Sequence, residues 1–239
     1  MRPGPNIAPN RNAAHPFDLK YETDTGGYLR PEELRGGAPA GMNRESMNNG
    51  YSAVAPSVFR EACRRWRETL PQSAARVEAY TFVDLGAGKG RALLLAAELP
   101  FRKVVGVELN EELAGIARQN MTRRNRIAHP RTKIRVLHQD AAEFRWPRPP
   151  LLVYLNNPFD CQLVEQIAAK LAAAGASGPG LVDVIYVNPG CVESLTGLGY
   201  FKLLWNAQIQ MEDADQRADP YGAASDRVAA FRYCAGSKQ

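Results

Sequence analysis

Between Phe82 and Ala92 the sequence reads FVDLGAGKGRA, with an acid, Asp84, two residues before the first of three glycines at alternate positions, Gly86, Gly88 and Gly90. Glycines so spaced after a strand-like run let a backbone approach a ligand without Cβ clashes. A phosphate-cradling P-loop requires GxxxxGK[ST], whose hydroxyl holds magnesium; here Lys89 is followed by Gly90 and Arg91. A dinucleotide fingerprint requires GxGxxG, with the third glycine packing a helix on the strand; that place belongs to Arg91, and the third glycine comes one residue early. A carboxylate suits an ammonium and repels a pyrophosphate. The loop therefore points to a ligand without phosphate, the alternative being a bare strand-to-helix turn.

Two further acids stand at the ends of the next strand-like runs. KVVGVEL ends at Glu108, some twenty residues past the glycines, where a carboxylate can accept hydrogen bonds from both hydroxyls of a ribose. KIRVLHQD ends at Asp140, which taken alone is equally a turn former. Three acids at three successive strand ends, in this order after the glycines, resemble the cofactor site of the class I S-adenosylmethionine-dependent methyltransferases, whose motif I is the acid-x-G-x-G-x-G pattern. The resemblance implies S-adenosylmethionine as cofactor, with its methionine ammonium at Asp84 and its backbone against Gly86, Ala87, Gly88 and Gly90. It further places the ribose at Glu108 and Leu109, the adenine amino group at Asp140, the ring beside the Ala141 backbone, and Asn156 in the same set.

The fourth strand-like run ends LLVYLNNPFD. Methyltransferases that modify nitrogen often carry Asn/Asp-Pro-Pro-aromatic here, and Asn156, Asn157, Pro158 and Phe159 match in part, with Asn157 in place of the first proline. The Asn-Asn pair followed by Phe is similar to the disruptor-of-telomeric-silencing class of lysine methyltransferases, which lack a SET domain. That class also carries Tyr-x-x-x-Ser-Pro-x-Val-Tyr-x-Glu ahead of its first helix, folded over the cofactor; here YSAVAPSVFRE places Tyr51, Ala55, Pro56, Val58, Phe59 and Glu61 at that spacing. A group of small bacterial methyltransferases of undefined substrate shares a DTGG-like stretch, here Asp24 to Gly27. The resemblance spans roughly residues 50 to 190 and implies transfer to a protein lysine or another amine, with Asn156, Asn157, Phe159 and Tyr51 at the reacting centre. Tyr154 and Tyr28 join Tyr51, Asn156 and Phe159 as candidates for an aromatic channel that desolvates the target ammonium and lowers its pKa from ~10.4. No general base stands out. The sequence departs from that class in reading GAGKGR at motif I, in lacking the long helical domain ahead of the core, and in having no lysine-rich tail after it.

These residues need elements to hold them. Strand-like runs (YTFVDLG, KVVGVEL, KIRVLHQ, LLVYLNN, LVDVIYVNP) alternate with helical patterns (RALLLAAEL, EELAGIARQNM, CQLVEQIAAKLAAA), the pattern of βαβ units on a parallel sheet. PSVFREACRRWRETL predicts a helix before the glycine loop, with Ser57 as its cap. FKLLWNAQIQM and DRVAAFRYC, with no strong helix between, predict a closing antiparallel hairpin. With the resemblance, the expected fold is α/β, a doubly wound, mostly parallel seven-stranded Rossmann-like methyltransferase sheet with an antiparallel C-terminal strand. Residues 1–55, rich in Gly, Pro and Asn, form an arm, partly disordered at its tip, that closes on the active site; residues 56–239 form the domain.

Composition narrows the classes. The chain of 239 residues is 45% hydrophobic and 23% charged, within the range of one globular domain. No apolar run approaches the ~20 residues of a membrane span and the start is polar and proline-rich, so the expected location is the cytoplasm. Cys63, Cys161, Cys191 and Cys234 form no CxxC pair and do not fall into zinc spacing with His15, His129 and His138, so neither a disulfide framework nor a metal is expected. A net charge of +5 permits contact with nucleic acid without indicating it. RQNMTRRNRIAHPRTK, Arg118 to Lys133, is a docking surface under the alternative of an RNA methyltransferase and otherwise a solvated helix face. A third alternative is a binding module, or an oxidoreductase, on a similar sheet. Oligomeric state is unreadable, because each amphipathic helix has a sheet to cover.

Overall fold

The computed structural model describes residues 15–34, 49–71, 76–128, 132–178, 180–197 and 199–234. Five parallel strands, β3 (Thr81–Leu85), β4 (Lys103–Glu108), β5 (Ile134–His138), β6 (Leu151–Asn156) and β7 (Val182–Val187), are followed by β8 (Phe201–Gln210) and β9 (Ser225–Tyr233). They form one seven-stranded sheet in the order β5-β4-β3-β6-β7-β9-β8, with β9 antiparallel to both of its neighbours. This is the α/β, mostly parallel architecture expected from the alternating pattern. The chain winds outward one way from β3 through β4 to β5, and the other way from β6 to β7. The switch point between β3 and β6 is where open α/β sheets bind ligands, at the carboxyl ends of the strands.

The central strands are near-continuous apolar runs because both faces are covered. On one face Phe82, Tyr154, Ile185 and Val228 pack with Phe59, Ala62, Cys63 and Trp66 of α2 (Pro56–Glu68), Leu93 and Leu94 of α3 (Arg91–Ala96), and Met121 of α4 (Glu111–Ile127). On the other, Val83, Leu85, Val153 and Leu155 meet Leu163, Val164, Ile167 and Leu171 of α5 (Cys161–Ala176). Asn110 and Asp160 cap α4 and α5, accepting from the Leu113 and Leu163 amides. At the end of the sheet far from the glycines, the buried Asp183 accepts from Trp66 Nε1 at 2.8 Å and Arg232 Nε at 2.7 Å.

Before the sheet, α1 (Pro16–Tyr21) buries Phe17 and Tyr21 in the first of these clusters, and β1 (Tyr28–Leu29) pairs antiparallel with β2 (Tyr51–Ser52). The tip of the expected arm, residues 1–14, and residues 35–48 lie outside the described residues.

Four sequence expectations need correction. The cap of α2 is Ala55, with Pro56 as first helical residue; Ser57 is already inside the helix, and its amide and hydroxyl both donate to Asp215 Oδ2. β8 and β9 pair antiparallel as expected, but their connection is not a plain turn: α6 (Asp213–Ala218) lies between them, tied down where Asp215 also meets His15 Nε2 at 2.8 Å. The helix EELAGIARQNM runs on to Ile127, and RALLLAAEL ends earlier, at Ala96. Finally, Cys161 and Cys191 form a disulfide across 30 residues of sequence. Spacing hid this pair: each cysteine begins the segment after one of two adjacent parallel strands, β6 and β7, so the sheet brings together what the sequence separates.

Candidate functional site

At the carboxyl end of β3 the chain turns through Gly86, Gly88 and Gly90 at φ of +74°, +53° and +87°. A Cβ on Gly86 would strike Pro158, and one on Gly88 would strike the Tyr51 ring. The first two glycines thus let the β6 end and the arm close on the loop, while Gly90 caps α3 against Ala117 and Met121. The amides of Gly86 and Ala87 donate to the Val107 carbonyl at 2.9 and 3.1 Å, which fixes the loop to β4.

The three acids arrive with different partners. Glu108 is buried at the end of β4; its Oε2 accepts from the Gly88 amide at 2.7 Å and its Oε1 from the Asn110 amide at 2.8 Å. Burial raises its pKa, opposed by those backbone donors. Two accepted bonds leave lone pairs on a carboxylate that has about four. Asp140 Oδ1 accepts from the Ala142 amide at 2.8 Å, as a turn former does. Asp84 is 3% exposed and accepts no hydrogen bond among the described residues. Burial, and then the charge of Glu108, push its pKa up to about 8.

These acids line one cleft with an empty volume of about 1060 Å³, open solvent at its mouth included. Around it the structure brings together Gly86, Ala87, Gly88, Leu109, Ala141, Asn156, Phe159 and Tyr51, and also Tyr154, Arg91 and the segment Asn49 to Val54. Three expected residues, Gly90, Asn157 and Tyr28, do not line it. Gly90 serves the helix cap, and Asn157, at φ +43°, turns toward β7, where its Oδ1 accepts from Tyr186 Oη at 3.4 Å. Asn156 Nδ2 donates to the Ser52 carbonyl at 3.0 Å, and Asn49 Nδ2 to the Asn157 carbonyl at 2.8 Å, so β6 and the arm are stitched together over the cleft. Phe159 is buried with the α5 cluster. Tyr51 places its ring on Gly88 and donates its hydroxyl to the Thr25 carbonyl at 2.7 Å. Tyr28 stands outside, edge-on to Tyr221 at 5.1 Å.

In the sequence Arg91 stands out as the residue that breaks the P-loop and dinucleotide patterns, with no sign of a role of its own. Its guanidinium is buried and holds the arm: Nη2 meets Asp18 Oδ2 at 2.9 Å and Nε donates to Thr25 Oγ1 at 2.7 Å. Lys89, the loop's false lead, reaches Asp24 Oδ1 and the Gly26 carbonyl, each at 3.0 Å. Asn120 of α4 donates to the Asp24 carbonyl at 2.8 Å and accepts its amide at 2.9 Å. The DTGG stretch is therefore the contact between arm and glycine loop. The available signal was an arginine beside a buried loop, which demands an acid somewhere. In the basic run, Arg124 is buried over the Tyr21 ring and Arg118 Nε donates to the Val136 carbonyl at 3.4 Å; residues 129–131 lie outside the described residues. Among the described residues, no helix is long and apolar enough to cross a membrane.

No family model matches the chain. A stretch of 73 residues is 42% identical to the release factor glutamine methyltransferase of Vibrio cholerae; it covers 29% of this chain and 25% of that protein. The chain thus spans about a quarter of the length of this curated relative. Among solved structures, it is similar to the N-methyltransferase NodS of Bradyrhizobium japonicum in complex with S-adenosyl-L-homocysteine, with 15% identity, 84% of this chain and 95% of that one covered, and a TM-score of 0.47. It is likewise similar to the magnesium protoporphyrin IX methyltransferase of Synechocystis with bound S-adenosylmethionine, with 14% identity, 74% and 77% covered, and a TM-score of 0.46.

Proposed function

We propose that this protein is an S-adenosylmethionine-dependent methyltransferase acting on nitrogen, of a protein lysine or another amine. One observation carries the reading: Asp84, Glu108 and Asp140, from the carboxyl ends of three adjacent parallel strands, line a single cleft over a glycine loop at the switch point of the sheet. The cleft fits the cofactor's chemistry. A buried carboxylate that has no donor among the described residues, Asp84, is matched by an ammonium. Glu108 keeps lone pairs for ribose hydroxyls, with Leu109 beside it, and Asp140 and the Ala141 backbone stand where an adenine would be read. When bound, the cofactor supplies an electrophilic methyl on a cationic sulfonium.

The chain's own residues have three tasks. The arm and the β6 end exclude water, through Tyr51 on Gly88 and through Asn156 on the Ser52 carbonyl. Asn156, Phe159 and Tyr51 border the cleft where an acceptor nitrogen would be positioned, and Asn157 sets the turn between Asn156 and Phe159. The desolvated surroundings lower the pKa of an incoming ammonium, so the nitrogen gives its proton to solvent as it enters, without a dedicated base. Transfer to nitrogen is supported by the partial match of Asn156–Phe159 to amine-directed methyltransferases, and by the glutamine named as the target of the Vibrio relative.

Calorimetric titration with S-adenosylmethionine, S-adenosylhomocysteine and NAD tests the cofactor assignment. The first two are expected to bind and NAD is not; binding of NAD alone, or of none, overturns the reading. Transfer of radiolabelled methyl into lysate protein rather than lysate RNA then tests the acceptor class.

A further inference from the structure

Buried polar groups in folded proteins have partners, and an exception asks for an explanation. Of the buried side-chain nitrogen and oxygen atoms that lack a hydrogen-bond partner among the described residues, Tyr154 Oη is the one whose residue lines the cleft. Tyr154 is wholly buried on β6, its ring packed against Phe59 at 5.2 Å and Phe82 at 5.8 Å. An apolar phenylalanine would satisfy those neighbours, so packing does not account for the hydroxyl.

Register supplies the context. Tyr154 is paired directly with Asp84 across β3 and β6, and both project to the same face of the sheet. Both residues line one cleft, and among the described residues neither the Asp84 carboxylate nor the Tyr154 hydroxyl has a hydrogen-bond partner. Burial, and next the charge of Asp84, hold the phenol's pKa well above its ordinary value, so it stays a donor. The cation on the lining among the described residues, Arg91, has its Nε, Nη2 and Nη1 committed to Thr25, Asp18 and the Val54 carbonyl. A ligand end carrying an ammonium and a carboxylate side by side, an α-amino acid, is the complement of this pair.

We propose that Tyr154 is a specificity-determining residue that donates its hydroxyl to the carboxylate at the methionine end of the cofactor, beside the ammonium at Asp84. This rests on the cofactor reading above. It implies that the site distinguishes nucleosides that carry a whole amino acid from those that lack its carboxylate.

The test is Tyr154→Phe, titrated calorimetrically with S-adenosylhomocysteine and with decarboxylated S-adenosylmethionine, which keeps the ammonium and lacks the carboxylate. We expect about a tenfold loss of affinity for the first ligand and no change for the second, the size set by a hydrogen bond to a charged group. The ligand-free variant is expected to melt at the wild-type temperature or above it, because removing an unsatisfied hydroxyl relieves a desolvation penalty. Equal losses for both ligands, or no loss for either, overturn the proposal. So does a lower melting temperature with unchanged affinities, which marks the hydroxyl as structural. If the wild-type protein binds neither ligand, the cofactor reading itself fails and takes this proposal with it, a result distinguishable because it precedes any substitution.

Discussion

Asp84 shows how a single buried group links ligand, pH and stability. Its carboxyl titrates near 8 in the folded protein against an ordinary value of 3.8, so between those values the folded state holds a proton that the unfolded chain has lost. Stability from this group is therefore greatest below pH 4 and declines as pH rises through 8. Glu108, also raised, contributes in the same direction. Melting temperatures of the ligand-free protein at pH 5.5 and 8.5 should fall more for wild type than for Asp84→Asn; identical slopes would refute the assignment. Affinity for a cationic ligand moves the opposite way, rising by up to about tenfold per pH unit as the carboxylate forms, and Asp84→Asn should flatten that profile. Glu108 has a double duty, because it braces the Gly88 and Asn110 amides as well as facing the cleft. Glu108→Ala is expected to weaken cofactor binding at least tenfold and also to lower the melting temperature, each lost charged hydrogen bond being worth about 1.5–3 kcal/mol. An unchanged affinity with a lowered melting temperature would reduce Glu108 to a brace.

At the scale of elements, the sheet was legible because parallel strands covered on both faces are near-continuous apolar runs, and YTFVDLG, KVVGVEL and LLVYLNN are such runs with their polar residues near the ends. The acids were legible because strand ends are punctuated by abrupt polarity. What could not be read was any contact made by two elements distant in sequence. Ser57 has the residue type of a cap and instead serves Asp215, 158 residues away. Cys161 and Cys191 looked unpaired until β6 and β7 were set side by side. That disulfide fastens the loop following Phe159 to the segment after β7, with Ser194 Oγ adding a bond to the Cys161 carbonyl at 3.1 Å. Closing a loop of this length is worth about 3–4 kcal/mol in the chain-entropy view. Addition of a dithiol reductant should lower the denaturation midpoint correspondingly, and Cys161→Ser/Cys191→Ser should be insensitive to it; no shift in wild type would mean that the bridge contributes nothing to stability.

At the scale of the whole molecule, the arm is joined to the core by buried polar groups rather than by apolar area alone. Asp18 and Arg91, each 6% exposed, sit at the centre, with Thr25 donating its amide and hydroxyl to Asp18 Oδ1 at 3.0 and 2.6 Å. From there the chain of contacts passes through the Thr25 carbonyl to Tyr51 on Gly88, and through Ser52 to Asn156. We propose that ligand entering the cleft displaces or slips beneath these contacts, so that the ion pair governs exchange as well as stability. Removing Asp18 leaves a buried guanidinium uncompensated, a cost of about 3–5 kcal/mol, whereas removing both charges leaves no orphan. Asp18→Ala is therefore expected to destabilise the protein more than Asp18→Ala/Arg91→Leu does, read as denaturation midpoints. Stopped-flow measurement of S-adenosylhomocysteine should show both association and dissociation accelerated in Asp18→Ala, because a loosened cover lowers the barrier in both directions and changes the equilibrium less. Rates equal to wild type, in a variant whose midpoint has fallen, would mean that the arm stabilises the fold without controlling access, and that the ligand reaches Asp84 by a path that leaves Tyr51 in place.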